Sequence, residues 1–353
     1  MQSGKSQAWL TRFLFLNAIL TFFLVSLGGK VTSMGVGMSV PDWPQSYGYN
    51  MFFFPFDKWL GPGAGGVFFE HSHRLLASLV GLFSIIAALW VAFAETRFWM
   101  KVMAFLALFS VAFQGLLGGL RVVLDKYNLG MEFGLTHATF AQLFFSLVCA
   151  LVLFRSNWWR NASPHPRAAS LRPWILATCC IIFVQLTVAA TMRHQHAGLA
   201  VTDFPLAYGK IIPSISPAAI ASYNSSRIEI SDSNPITASA VVLHMIHRLL
   251  ALVIVGLIAT CALKSRSILG SSHKITVYNF LWLGLVALQF CLGIATVLTG
   301  KSADIATAHV AVGSLTLMTG ALLSMGCYRI TSPRTALNLR PAPRMQSASS
   351  QLA

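Results

Sequence analysis

Four histidines carry the chemistry open to this chain: His73, His137, His247 and His309. Each stands at the head of a long apolar stretch. An imidazole in or beside hydrocarbon needs a partner, and ionisable groups inside a membrane generally mark function. Two imidazoles on facing helices of a four-helix bundle can hold an iron from both sides of a porphyrin. Taken in pairs, the four give two such haem sites. Any one alone reads as a packed, hydrogen-bonded membrane histidine; recurrence in pairs is what favours iron. Zinc fits less well, because two nitrogens per pair leave its usual four-ligand shell incomplete.

The neighbours of these histidines add to the pattern. Arg74 and Arg248 directly follow His73 and His247. A guanidinium at the outer interface can pair with a haem propionate, or snorkel to headgroups. Glu70 lies three residues before His73, so a helix puts both on one face. The corresponding second-half residue is His244, since 244 − 70 = 174. A carboxylate beside a porphyrin can act as acid, base or electrostatic stabiliser. Asp42 and Asp203 each precede an aromatic-Pro pair and a Tyr-Gly, which reads as a turn folding the loop back on the bundle. His71, His194 and His196 lie on the outer side; Arg193-His194-Gln195-His196 could touch metal or substrate but reads rather as a solvated loop end, and His165 and His273 read as inert.

The elements that must position these groups follow from composition. The 353 residues are 56% hydrophobic and only 10% charged, against roughly 25% charged in average soluble chains. Lipid must therefore be the main solvent. A bilayer needs about 20 apolar residues per helix. Such stretches fall near 13–30, 75–94, 102–120, 133–154, 174–192, 239–263, 275–299 and 305–328, which makes eight spans. The first is read as a retained helix and not a cleaved signal peptide. The six cysteines all lie inside apolar segments without metal spacing, and read as packing or lipid-facing residues.

The net charge of +15 reflects topology and not nucleic acid, because the basic residues form no single patch. One side of the membrane takes the N-terminus, the loops after spans 2, 4 and 6, and the C-terminal tail. It holds fifteen basic residues against the single acid Glu95, a net +14; the other side holds ten basic and nine acidic, a net +1. The positive-inside rule makes the first side cytoplasmic. Both termini are then inside, and the long loops 31–70 and 193–238 outside.

The sequence also resembles itself. His73-Arg74-Leu75-Leu76-Ala77 recurs as His247-Arg248-Leu249-Leu250-Ala251, and Asp42 with Tyr47-Gly48 recurs as Asp203 with Tyr208-Gly209. Gln114 with Leu117-Gly118 recurs as Gln289 with Leu292-Gly293, and His137 and His309 open spans 4 and 8. The expected fold is all-α: a polytopic membrane protein of eight helices, arranged as two tandem, parallel four-helix-bundle repeats. The halves are residues 1–160 and 161–330, followed by a disordered cytoplasmic tail over 331–353. An even number of spans separates the copies, so the inverted repeats of many transporters are not implied.

Together, Glu70-x-x-His73-Arg74, His137, His247-Arg248 and His309, with Asp42-Trp43-Pro44 and its partner Gly198 to Pro205, resemble the haem A synthase family. The resemblance runs from about residue 10 to 330. It implies an enzyme, a membrane haem-dependent oxidoreductase. The implied reaction oxidises the C8 methyl of haem O to a formyl group through successive hydroxylations. Carried over by position, His73, His137 and Arg74 face the substrate haem, Glu70 assists catalysis, and His247, His309 and Arg248 hold haem b. The implied partners are haem O, molecular oxygen or water, an electron donor, haem O synthase and oxidase assembly factors. The implied location is the bacterial cytoplasmic membrane. Many bacterial members have a cysteine pair in the first outer loop; here residues 31–70 contain none. Two other classes compete: a di-haem b-type electron carrier without oxygenase activity, and a haem-binding assembly factor. The electron carrier does not account for a carboxylate in one half only.

Overall fold

A computed structural model describes residues 4–226 and 235–332. Eight long helices dominate: α1 (Gly4–Ser33), α2 (Gly65–Ala94), α3 (Phe98–Val123), α4 (Gly130–Arg155), α5 (Arg172–His194), α6 (Ala238–Leu269), α7 (Lys274–Leu298) and α8 (Ala303–Thr331). Each is long and apolar enough to cross a membrane. Among the described residues there is no strand beyond two isolated bridges, Ser46 with Tyr49 and Ala207 with Lys210. The expected disordered tail falls, from residue 333 onward, outside the described residues.

Most helices outrun the apolar stretches at one or both ends. α2 opens at Gly65, not near 75. Its added turns carry Glu70, His71, His73 and Arg74, which lower hydropathy without breaking a helix. Glu70 and His73 therefore lie more than a turn inside α2, not at its mouth. Local signals set other boundaries. The Thr237 hydroxyl caps α6 at the Ala240 N–H, and His273 Nδ1 caps α7 at the Ile275 N–H. Pro166 and Pro173 start the segment leading into α5, where a missing N–H costs nothing.

Packing follows one pattern in each group of four. α1 packs on α2, α2 on α3, α3 on α4, and α4 back on α1. α5 packs on α6, α6 on α7, α7 on α8, and α8 back on α5. The two rings meet where α1 and α4 touch α8, and α4 touches α5. The apolar cores gather at the end bearing the chain termini. There Leu10, Leu14, Met100, Val148 and Leu151 interlock in one ring, and Ile175, Ile258, Trp282, Cys327 and Ile330 in the other. The opposite end, under the long loops, is left for the site.

A buried ion network closes the terminal end of the first ring. Glu95 accepts from Arg97 at 2.8 Å and from Arg155 at 2.9 Å. Arg155 in turn holds Gln7, so α1, α2 and α4 are tied together. Burial pushes the Glu95 carboxyl up, but the Arg97 hydrogen bonds and the two guanidinium charges outweigh it and hold it at about 2. A depressed carboxyl stabilises the fold above the unfolded value near 4.5, and that contribution is lost as pH falls toward about 2. Removing one partner of a buried pair leaves the other charge uncompensated, typically at roughly 3–5 kcal/mol. Glu95→Gln should therefore lower the thermal midpoint measured in detergent at neutral pH, and the deficit relative to wild type should shrink on acidification.

Candidate functional site

A cavity of about 1450 Å³ occupies the outer-loop end and runs through both rings. Ordinary small-molecule pockets hold roughly 300–1,000 Å³, so it has room for more than one such ligand. Its walls are mainly apolar, and they include all four histidines, Glu70, Arg74 and Arg248. His73 comes from α2, His137 from α4, His247 from α6 and His309 from α8. The even-numbered helices run in the same direction, so each pair sits at matching depth.

One histidine of each pair is held as an iron ligand would be. His137 Nδ1 lies 3.1 Å from the Gln114 carbonyl oxygen, and His309 Nδ1 lies 3.2 Å from that of Gln289. A carbonyl can only accept, so Nδ1 carries the proton and Nε2 keeps its lone pair. Metal-bound imidazoles are typically held in this way. The Gln289 side chain supports the same tautomer, with its amide nitrogen 3.3 Å from His309 Nε2. Nδ1 of His73 and of His247 is buried without a hydrogen-bond partner.

The His247 and His309 ring centres are 6.5 Å apart. Metal–nitrogen bonds of about 2 Å on opposite sides, with ring centres about 1 Å further back, require roughly 6 Å. The backbone makes way for the rings: a Cβ on Gly28 would meet His73 Cε1 at 2.9 Å, and one on Gly293 would meet His309 Cε1 at 3.1 Å. Among the described residues, no three His, Cys, Asp or Glu side chains gather as a metal set. Two imidazoles per site suit a porphyrin, which brings its own four equatorial nitrogens.

The outer loops are clamped over the cavity in parallel ways. The Asp42 carboxylate accepts from the Tyr47 and Gly48 N–H groups at 2.7 Å each, and Asp203 accepts from Tyr208 and Gly209 at 2.7 and 2.9 Å. Burial raises each carboxyl, and these backbone bonds, with the nearby Arg74 or Arg248 charge, bring it below the ordinary value. Gly48 and Gly209 have φ of +76° and +74°, where glycine is favoured. Arg74 donates to the carbonyls of Val40, Asp42 and Gln45; Arg248 donates to those of Val201, Asp203 and Leu206. Both guanidiniums thus commit their terminal nitrogens to the loops.

The rings differ at one buried position. Glu70 is 4% exposed; one oxygen accepts from Arg74 at 2.8 Å and the other from the Val40 N–H at 2.9 Å. His244, its counterpart in register, is also buried, and its Nδ1 lacks a partner. One half therefore has a carboxylate by the cavity where the other has an imidazole.

Several residues depart from the sequence expectations. His71 is buried, with Nδ1 3.1 Å from Ser46 Oγ and its ring against Phe54 and Trp59. It was expected on the outer side, where the aromatic run Phe52-Phe53-Phe54-Pro55-Phe56 covers it through Phe54. Of that run, Phe54 is buried while Phe52, Phe53 and Phe56 are exposed. His194 ends α5 and lines the cavity, while His196 is exposed as expected. Arg121 in α3 and Arg193 in α5 also face the cavity. The signal for both was an arginine beside an apolar stretch, a default functional candidate. Gln114 and Gln289 were legible as a repeated pair, but their carbonyls as histidine partners were not.

Comparison with known proteins shows the family. A family model described as cytochrome oxidase assembly protein (COX15-CtaA) matches residues 64–321, which include Glu70 and all four histidines. The haem A synthase of Halalkalibacterium halodurans is 31% identical over 266 residues, 71% of this chain and 76% of the relative. The chain belongs to the haem A synthase family. More distant haem A synthases match almost end to end. That of Rhizorhabdus wittichii is 26% identical over 87% of this chain and 91% of its own length, and that of a Caulobacter species 25% identical over 91% and 95%.

Proposed function

We propose that the chain performs the haem A synthase reaction, oxidising the C8 methyl of haem O to a formyl group through successive hydroxylations. The single observation that carries this reading is one cavity lined by two histidine pairs with a carboxylate beside only one of them among the described residues. His73 and His137 hold the substrate haem in the half formed by residues 1–160. His247 and His309 hold haem b in the half formed by residues 161–330. The two halves are copies of one four-helix bundle that have divided the task. Bound haem iron supplies the oxidising power that attack on an unactivated methyl needs and side chains lack.

The residues of the chain do the rest. The Gln114 and Gln289 carbonyls orient His137 and His309 through Nδ1, presenting Nε2 to iron. The apolar walls exclude water and accept the macrocycle and the isoprenoid tail. Arg74 and Arg248 hold the loops over the two haems, within reach of their outer edges. Glu70 keeps a negative charge beside the substrate and, through Arg74 and Val40, fixes the loop that covers it. Each hydroxylation would take one oxygen atom from molecular oxygen, the other leaving as water with two electrons from a donor and two protons.

A bacterial host that makes haem O but no haem A tests the activity. Expression of this chain should bring haem A into its membranes, identified by mass after extraction. Haem O left unchanged despite membrane-inserted protein would remove the assignment.

The +14 against +1 charge asymmetry supports a bacterial cytoplasmic membrane protein with both termini inside. Reporter fusions at Ser163 and Ser226 should give opposite signals, cytoplasmic for the first and external for the second. Equal signals would overturn this topology.

A further inference from the structure

The charged side chains lining the cavity are five basic, Arg74, Arg121, Arg193, Arg248 and Lys301, and one acidic, Glu70. Such a wall calls for an anionic ligand. Arg74 and Arg248 are committed to loop carbonyls, and Arg74 also to Glu70. Arg121 and Arg193 are different. Neither forms a salt bridge within 4.0 Å among the described residues. Arg193 donates through Nη2 to the Gly29 carbonyl at 2.6 Å and to Ser33 Oγ at 2.9 Å, which aims it across the seam toward α1 and leaves its other nitrogens available.

Two cations have been brought together here. Arg121 and Arg193 lie within electrostatic reach of each other and of His194. Arg121 is also within electrostatic reach of His73, His137, Glu70 and Asp125, and Arg193 within reach of His309, with no carboxylate among the described residues acting on Arg193. Like charges at a half-buried seam repel unless something neutralises them. The chain makes room for the arrangement. A Cβ on Gly37 would stand 2.7 Å from Arg121 Nη2, and one on Gly134 would stand 2.8 Å from His194 Cε1 and 3.3 Å from Arg121 Cδ.

Arg121 and His194 also line a second, polar pocket of about 530 Å³ with Asp125 and His196, on the outer side. They therefore stand between an apolar chamber and a polar one. A haem has the matching division, with an apolar macrocycle and two carboxylates on one edge.

We propose that Arg121 and Arg193 anchor the propionate carboxylates of the substrate haem, with its macrocycle in the apolar chamber and its acid edge toward the polar pocket. This rests on the reading of the cavity as the haem O site. A guanidinium binds a carboxylate through two parallel N–H bonds and so fixes direction as well as position. The C8 methyl shares a pyrrole ring with one propionate, as the C5 methyl does with the other, so the anchor fixes the edge of the macrocycle on which the C8 methyl lies. Arg121 and Arg193 are positioning residues for that methyl.

The test is a spectroscopic titration of the purified full chain with haem O and with its dimethyl ester, which keeps the macrocycle and iron but removes both charges. Wild type should bind the diacid about 10- to 100-fold more tightly than the diester, the scale of one or two charge-assisted hydrogen bonds. Arg121→Gln should lose most of the diacid preference, with only the share held by Arg193 remaining, and Arg121→Lys should recover part of it. Arg193→Gln should give a smaller loss. Wild type binding both forms equally would overturn the anchor while leaving the haem site intact, and this result needs no variant to fold. A full preference retained in Arg121→Gln would do the same. Wild type that takes up neither form would overturn both the anchor and the reading beneath it.

Discussion

His247→Ala and His309→Ala should each abolish the bis-histidine b-type spectrum of the purified protein. The loss should be complete, because an axial ligand is removed and nothing nearby replaces it. His309 Nε2 is kept unprotonated by the Nδ1 bond to Gln289, and its ring centre is 6.5 Å from that of His247. The closest substitute is His244, three residues before His247 on the same helix, but its side chain leaves the helix about 60° away from that of His247. The apolar core lies at the other end of the helices, so both variants should still insert and fold. His71→Ala is the matched control. It removes a buried imidazole bonded to Ser46, away from either pair, and should leave the spectrum unchanged. Full bis-histidine spectra in both His247→Ala and His309→Ala would remove the second-half haem site.

Glu70→Gln should reduce haem A formation by about 10²–10³-fold, the usual scale of acid–base or electrostatic assistance. The b-type spectrum and haem O uptake should remain, and the hydroxylated intermediate should accumulate. The substitution preserves size and an acceptor for the Val40 N–H, but it removes the charge paired with Arg74. Loss of one partner from a buried pair also destabilises. A stability assay and the haem b spectrum therefore accompany the product assay, to separate a misfolded loop from lost chemistry. Wild-type haem A yield from a folded Glu70→Gln would end the catalytic assignment and leave Glu70 as a clamp on the first outer loop.

The parts of the molecule legible in sequence were those written in local patterns. Eight apolar stretches gave eight helices, because backbone groups in lipid must be satisfied within the helix. The Asp-aromatic-Pro and Tyr-Gly motifs gave two loops folded back by the same hydrogen bonds. What stayed hidden depended on contacts distant in sequence. The true start of α2 was masked because Glu70 and His73 lower hydropathy while still extending the helix. The burial of Glu70 needs Val40, thirty residues away, and Arg74. Gln114 was visible as a repeated residue, but its backbone oxygen is the functional atom, and no side-chain pattern reports that. Arg121 and Arg193 come from different halves, so the repeat that exposed the histidines could not pair them. His194 was read as a loop end because the cavity it borders forms only when the two rings meet.

The central claim is that this chain converts haem O to haem A and does not merely carry electrons between two haems. Purified protein supplied with haem O, oxygen and a reductant tests it most directly, with the haems extracted and identified by mass. The expected result is the hydroxylated haem followed by the formyl product, in amounts that rise with time. Haem O recovered unchanged, from protein that keeps its b-type spectrum and passes electrons between its haems, would contradict the account and favour the electron carrier.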